Sequence, residues 1–405
     1  MRRATLGARM LVRILVAALL VTCAPAQSLF EQVDDIVKTL SEITGWNVKR
    51  KVPSQMLSKD SFRKNMESRM KDKSSKAEIR TEEITLKMFG FVPQDFNLAR
   101  ETVDLVSEQA AAYYDYRKKR LFILDSTTGD LEQRLTLAHE LAHALGDQHH
   151  PLGKYLNKGS PDDDAESARE AVMEGQATFL GWAYLAKIEN QNLDAVIEKL
   201  SKSSADSANF PVFNKEPLYM RESLVFPYDS GLAFQYEIYK KHGRDSFDEL
   251  FTHPPQSTQQ IMHPQMYLDG RQPVDPKPPA LEKRLKKKFK ELGEGSMGEF
   301  DHSILFRTYL PEAESIEAAS HWRGGNFRLY ENKREKYPVL AYISEWDSPD
   351  AAEHVFELYQ KVMKARWKKM TVDHRDRHGI EGSGDSGKFR LWISGDTVES
   401  IEGLR

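Results

Sequence analysis

The chain has 405 residues, 40% of them hydrophobic, with a formal net charge of -3. That length allows two domains, and the apolar content is compatible with a packed core. The near-balanced charge gives no electrostatic reason to expect a nucleic-acid partner.

The first 26 residues read as a targeting segment. Arg2, Arg3, Arg9 and Arg13 make a positive end, residues 14–21 an apolar run, and Ala24-Pro25-Ala26 a small-x-small cleavage site. Export to the periplasm or the extracellular space is expected, with a mature chain starting near Gln27. Cys23 is the sole cysteine and lies inside this segment, so the mature chain is expected to have neither disulfides nor thiol chemistry. Membrane association is expected only if Cys23 carries a lipid.

Residues 28–115 read as mostly helical, with the clearest pieces at 29–40, 59–71 and 102–110 and a short strand at 46–52, stopped by Pro53. Residues 110–116 and 121–124 read as two strands joined by the charged turn Arg117-Lys118-Lys119. A helix is predicted over 130–146. Asp130 and Gln133 form a capping box at its start, and Leu131, Leu135, Ala138, Ala142 and Leu145 supply one apolar face. Gly146 is expected to end it.

This helix carries His139-Glu140-Leu141-Ala142-His143, an HExxH sequence. The two imidazoles stand one turn apart, where they can grip one zinc ion. The glutamate lies beside the open coordination position, where it can deprotonate a bound water. Composition alone yields such a match by chance in about one chain in a hundred of this length. A strand pair leading into such a helix suits a peptidase, because an edge strand holds an extended peptide by backbone pairing.

Beyond a polar loop, residues 149–164, a second long helix is predicted over 165–189. The proline-rich stretch 273–279 marks the expected boundary between a unit spanning 27–275 and a C-terminal unit of unknown role spanning 280–405. Residues 281–292 carry Leu281, Leu285, Phe289 and Leu292 with lysines between, read as a packed helix with a basic outer face. Segments 327–330, 339–346, 351–366 and 389–393 then suggest a small α+β unit with no catalytic constellation. The whole reads as α+β: a mainly helical unit with a small sheet edge before the HExxH helix, followed by that C-terminal unit.

Two candidates compete for the third ligand. His149 completes HExxHxxGxxH, the metzincin spacing, with Met262 on offer as its methionine turn. Glu174, in Val172-Met173-Glu174-Gly175-Gln176-Ala177, would complete a His-His-Glu set, with Gly175 and Ala177 small enough for close helix approach. Glu170 is the runner-up carboxylate, and Thr178 is placed to orient a ligand. His150, His253 and His263 are weaker loop candidates.

Glu174-Gly175-x-Ala177 after an HExxH helix resembles the gluzincins, in particular the aminopeptidase N group and related peptidase-MA-like proteins. The resemblance implies a zincin-like fold with His139, His143 and Glu174 as zinc ligands and Glu140 as general base. Phe226-Pro227-Tyr228-Asp229-Ser230-Gly231 resembles that group's proline-tyrosine-x-x-glycine segment, which implies that Tyr228 stabilises the oxyanion. The string from His139 to His149 is also similar to a set of exported bacterial HExxH proteins, in which the residue at Gly146 often differs. The aminopeptidases' Gly-x-Met-Glu-Asn segment, which holds a free amino terminus, is missing before His139. The resemblance therefore implies an exported zinc metallopeptidase that takes peptide or protein substrates and cleaves internally. The alternatives are an inactive zinc-stabilised envelope scaffold, a metal hydrolase for non-peptide bonds, and a metzincin-type site using His149.

Overall fold

The computed structural model describes residues 27–124, 131–157, 162–202 and 210–405. The expected targeting segment with Cys23, and the N-cap assigned to Asp130, lie outside these residues. The chain is α+β: a large helical body, a small three-stranded sheet, and a C-terminal antiparallel sheet. Among the described residues no helix is long and apolar enough to cross a membrane.

The helix Asp163–Ile188 runs through the middle of the helical body. It is buried on nearly every side because its small residues and polar Glu170, Glu174 and Gln176 all face other elements. Its start is capped by the Asp162 side chain, which accepts from the N–H groups of Asp164 and Ala165. On it pack the HExxH helix Leu131–His149, the N-terminal helix Gln27–Thr44 and the long helix Leu218–His242. That last helix contains Pro227 in its interior, where the missing N–H and the ring break the regular bonding ladder.

The HExxH helix extends three residues beyond the expected stop at Gly146. Gly146 has ordinary helical geometry, and a side chain there would face the Trp46 ring at 3.6 Å, so its smallness serves packing rather than termination. The expected strand at 46–52 is also displaced. Residues 45–53 are irregular, and β1 is Ser54–Leu57, which starts after Pro53 instead of ending before it. The Pro53 carbonyl accepts from the Leu121 N–H, so this proline opens the pairing.

β2 (Ala112–Asp115) and β3 (Arg120–Leu124) form the expected hairpin. The Asp115 side chain accepts from the N–H groups of Arg117 and Lys118 at the turn, and Lys119 takes a left-handed φ of 55° to close it. The sheet order is β1-β3-β2, with β1 parallel to β3 and β2 at an edge beside the HExxH helix.

The C-terminal sheet has seven antiparallel strands in the order β4-β5-β6-β10-β9-β8-β7. They are β4 Phe289–Ser296, β5 Trp322–Asn332, β6 Pro338–Trp346, β7 Thr371–Asp376, β8 Gly379–Gly384, β9 Gly387–Ser394 and β10 Thr397–Leu404. The helix expected over 281–292 is instead a single turn, Lys283–Lys286, followed by β4. Its apolar residues at spacings of four and three imitate a helical stripe, but Phe289 sits opposite Asn332 in the sheet and Leu281 packs under the same strands. Helices Glu299–Tyr309, Glu312–Ser320 and Pro349–Arg366 accompany this sheet.

One continuous apolar core includes residues of the helical body and of the C-terminal sheet. The helix Lys73–Phe89 makes much of that junction: Phe89 meets the rings of Phe327 and Tyr342 at 5.5 and 5.6 Å. Arg366 donates to the carbonyls of Met88 and Phe89 while pairing with buried Glu402.

Candidate metal centre

One helical turn on Leu131–His149 brings His139 and His143 together, with their Nε2 atoms 3.0 Å apart. The neighbouring helix delivers Glu174, whose Oε2 lies 3.2 Å from Nε2 of His139 and 3.3 Å from Nε2 of His143. All three residues are buried. A tetrahedral ion with bonds of about 2.0–2.1 Å requires ligand atoms about 3.3 Å apart, so these donors match three corners of such a tetrahedron. The second Glu174 oxygen, Oε1, is buried without a hydrogen-bond partner. Burial pushes the Glu174 carboxyl up, and the two imidazoles overcome this and hold it below its usual range. The donor set therefore fits a cation: this group can hold a metal ion.

Thr178, one turn after Glu174, lies with Oγ1 3.4 Å from Nδ1 of His139. With Nε2 turned to a metal, Nδ1 carries the hydrogen and donates to that hydroxyl, which sets the ring's tautomer. Tyr228 stacks on His139 from the Leu218–His242 helix, with ring centroids 5.8 Å apart and planes 27° from parallel.

Glu140 lies on the same helix as the histidines and is fully buried. Its Oε2 accepts from the Tyr114 N–H of β2 at 2.8 Å, and its Oε1 is buried without a partner. Desolvation pushes this carboxyl up to about 8, with His139 pulling down and Glu174 pushing up. One oxygen is thus tied to the sheet edge, and the other is unpaired.

The approach of Tyr228 to the metal group depends on two glycines. A side-chain carbon on Gly175 would lie 2.0 Å from the carbonyl carbon of Gly231, and one on Gly231 would lie 2.1 Å from the Ala171 carbonyl oxygen. The two helices therefore cross with their backbones in contact, one residue after Glu174 and three after Tyr228. Gln176 fastens the crossing by donating to Gln235 and to the Phe247 carbonyl. The expected closeness at Gly175 is present, and Gly231 is its partner.

His149 does not join the metal group. It stacks on Trp46 with centroids 5.4 Å apart and planes 15° from parallel, and its Nε2 donates to the Asn47 carbonyl at 2.9 Å. The helix continues through Gly146, so the chain never makes the turn that would swing His149 back. Met262 ends the short helix Thr258–Met262 and is no methionine turn. His150 pairs with Asp248, His253 contacts Thr252, and His263 pairs with Glu299 at 2.7 Å. Glu170 is buried one turn before Glu174 but stays outside the group of three.

Two contributors went unnoticed in the sequence. Tyr114 orients Glu140 through its backbone, and a backbone N–H leaves no trace in residue type. Asp147, one turn beyond His143, is buried and accepts from the Tyr114 hydroxyl at 2.9 Å, Lys119 Nζ at 2.8 Å and the Leu152 N–H at 3.0 Å. It binds the β2–β3 hairpin to the HExxH helix. A charged residue continuing the histidine face was the available signal.

No curated protein and no solved structure matches the chain. Residues 284–405 match a family described as Domain of unknown function (DUF8575), a match that leaves out the metal group entirely.

Proposed function

We propose that the chain is an exported zinc metallopeptidase that hydrolyses peptide bonds within its substrates. One observation carries the reading: three buried donors at tetrahedral spacing, His139, His143 and Glu174, sit next to a glutamate with one unpaired oxygen. A purely structural metal site gains nothing from such a glutamate, and this disfavours the scaffold alternative. Export rests on the sequence of the first 26 residues.

When bound at these three ligands, zinc supplies a Lewis acid that acidifies water to a pKa of about 7 and polarises the scissile carbonyl. Glu140 takes a proton from the attacking water on Oε1 and passes it to the leaving amine, while Tyr114 holds Oε2. Tyr228 donates its hydroxyl to the oxyanion that develops on the substrate. β2 lies at the sheet edge beside Glu140 and fixes that side chain through the Tyr114 N–H.

The test is metal analysis of the purified protein alongside hydrolysis of a quenched peptide with and without chelator. Stoichiometric zinc, and turnover lost with chelator and restored with zinc, are expected. Glu174→Ala is expected to lose the metal and His149→Ala to retain it. The opposite pattern would transfer the third-ligand role to His149.

A further inference from the structure

We propose that Arg221 is the carboxylate-binding residue of the substrate cleft, selecting peptides with a carboxylate two or three residues beyond the scissile bond. This rests on the peptidase reading above. Arg221 and Tyr228 belong to one helix, Leu218–His242. The facing of that helix is settled near the metal group, because Tyr228 stacks on His139 and Gly231 abuts Ala171 and Gly175. Seven residues wind an α-helix to within about 20° of two full turns and advance it about 10.5 Å. Arg221 therefore leaves the helix on the Tyr228 side, two turns away along the same wall. Pro227 lies between them, inside one continuous helix. Leu224 and Val225, both half-buried, occupy the wall between the two.

The state of the guanidinium is what points to a ligand. Its neighbour Glu222 is already paired with Arg307 at 3.0 Å. The Arg221 side chain is half-buried, its Nε is buried without a partner, and among the described residues no carboxylate pairs with it. A cation partly sunk into a protein wall is costly unless an anion completes its hydrogen bonds. Its planar fork suits a carboxylate, which it can hold through two parallel bonds. An extended peptide advances about 3.3 Å per residue, so the stretch from Tyr228 to Arg221 spans about three residues. In this assignment the leaving-group side of the peptide lies against Arg221, where a free carboxyl end can meet the guanidinium and a free amino end would be repelled. The carboxylate can be the terminal α-carboxyl or an aspartate or glutamate side chain.

The experiment uses the full-length zinc-loaded protein and two pairs of quenched peptides. One pair ends three residues past the cleaved bond as the free acid or the amide. The other pair is internal, with aspartate or asparagine at that position. At least one carboxylate peptide should have a kcat/KM about tenfold to a hundredfold above its neutral twin, with KM carrying the difference. Arg221→Gln should bring that ratio close to one, and Arg221→Lys should retain part of it. Equal values within both wild-type pairs would overturn the proposal. So would a ratio that survives Arg221→Gln while both rates fall together, since that marks a structural role. Failure to cleave any of the four peptides would remove the peptidase reading itself, and the proposal with it.

Discussion

The two oxygens of Glu140 differ: Oε2 accepts from Tyr114 and Oε1 stays unpaired. Glu140→Gln preserves the shape and the tie to β2 but removes the proposed base. Zinc content should be unchanged while kcat falls by about 10²- to 10⁴-fold, measured by metal analysis and steady-state kinetics on one preparation. Near-normal turnover would end the general-base assignment. Tyr228→Phe keeps the ring that stacks on His139 and deletes only the hydroxyl. Its kcat should drop about a hundredfold with metal occupancy intact, and an unchanged rate would retire the oxyanion role. His139, Glu140 and His143 were readable in the sequence because a helix converts a spacing of four into adjacency. The tie from Tyr114 to Glu140 was not, because the donor is a main-chain group that every residue but proline carries.

At the scale of elements, the crossing of Asp163–Ile188 and Leu218–His242 governs the site. Gly175→Ala would place a methyl 2.0 Å from the Gly231 backbone, which cannot yield as a flexible side chain can. The helices must separate, at a cost of about 1–3 kcal/mol or more, and Glu174 and Tyr228 shift relative to the histidines. Lower thermal stability together with weaker zinc binding is the expected result. Unchanged values of both would mean that the crossing does not position the site. The sequence shows that Gly175 is small, but only the packed structure shows that Gly231, 56 positions further on, is what it meets. Residues 281–292 failed as a helix for a related reason: spacings of four and three describe both a helical stripe and the inward residues of a turn followed by a strand.

Over the whole molecule, Arg366 ties the C-terminal unit to the helical body, and a buried histidine within that unit makes stability depend on pH. The neutral His302 ring donates from Nδ1 to the Gly298 carbonyl at 2.7 Å and accepts at Nε2 from the Tyr342 hydroxyl. Burial pushes its pKa down from 6.5 to about 4. Below pH 6.5 the unfolded chain takes up a proton that the folded chain refuses, so stability is full above that value. It falls as the pH drops toward 4 and then levels, a loss on the order of 3 kcal/mol. Denaturant unfolding from pH 7.5 to 4.5 should show this component in the native protein and lack it in His302→Gln. Equal slopes would assign the acid sensitivity to other groups.

The α+β class, the β2–β3 hairpin, the two long helices and the histidine pair with its glutamate were all determined locally. Helical and strand periodicities act over a few residues, and the side chains that express them are printed in order along the chain. Which residue joins the histidine pair was decided elsewhere. Trp46, more than a hundred residues before His149, stacks on that ring and holds it outside, while Gly231 admits the backbone beside Glu174. Those contacts arise only when distant segments are pressed together to bury apolar surface, and no spacing within either segment records them.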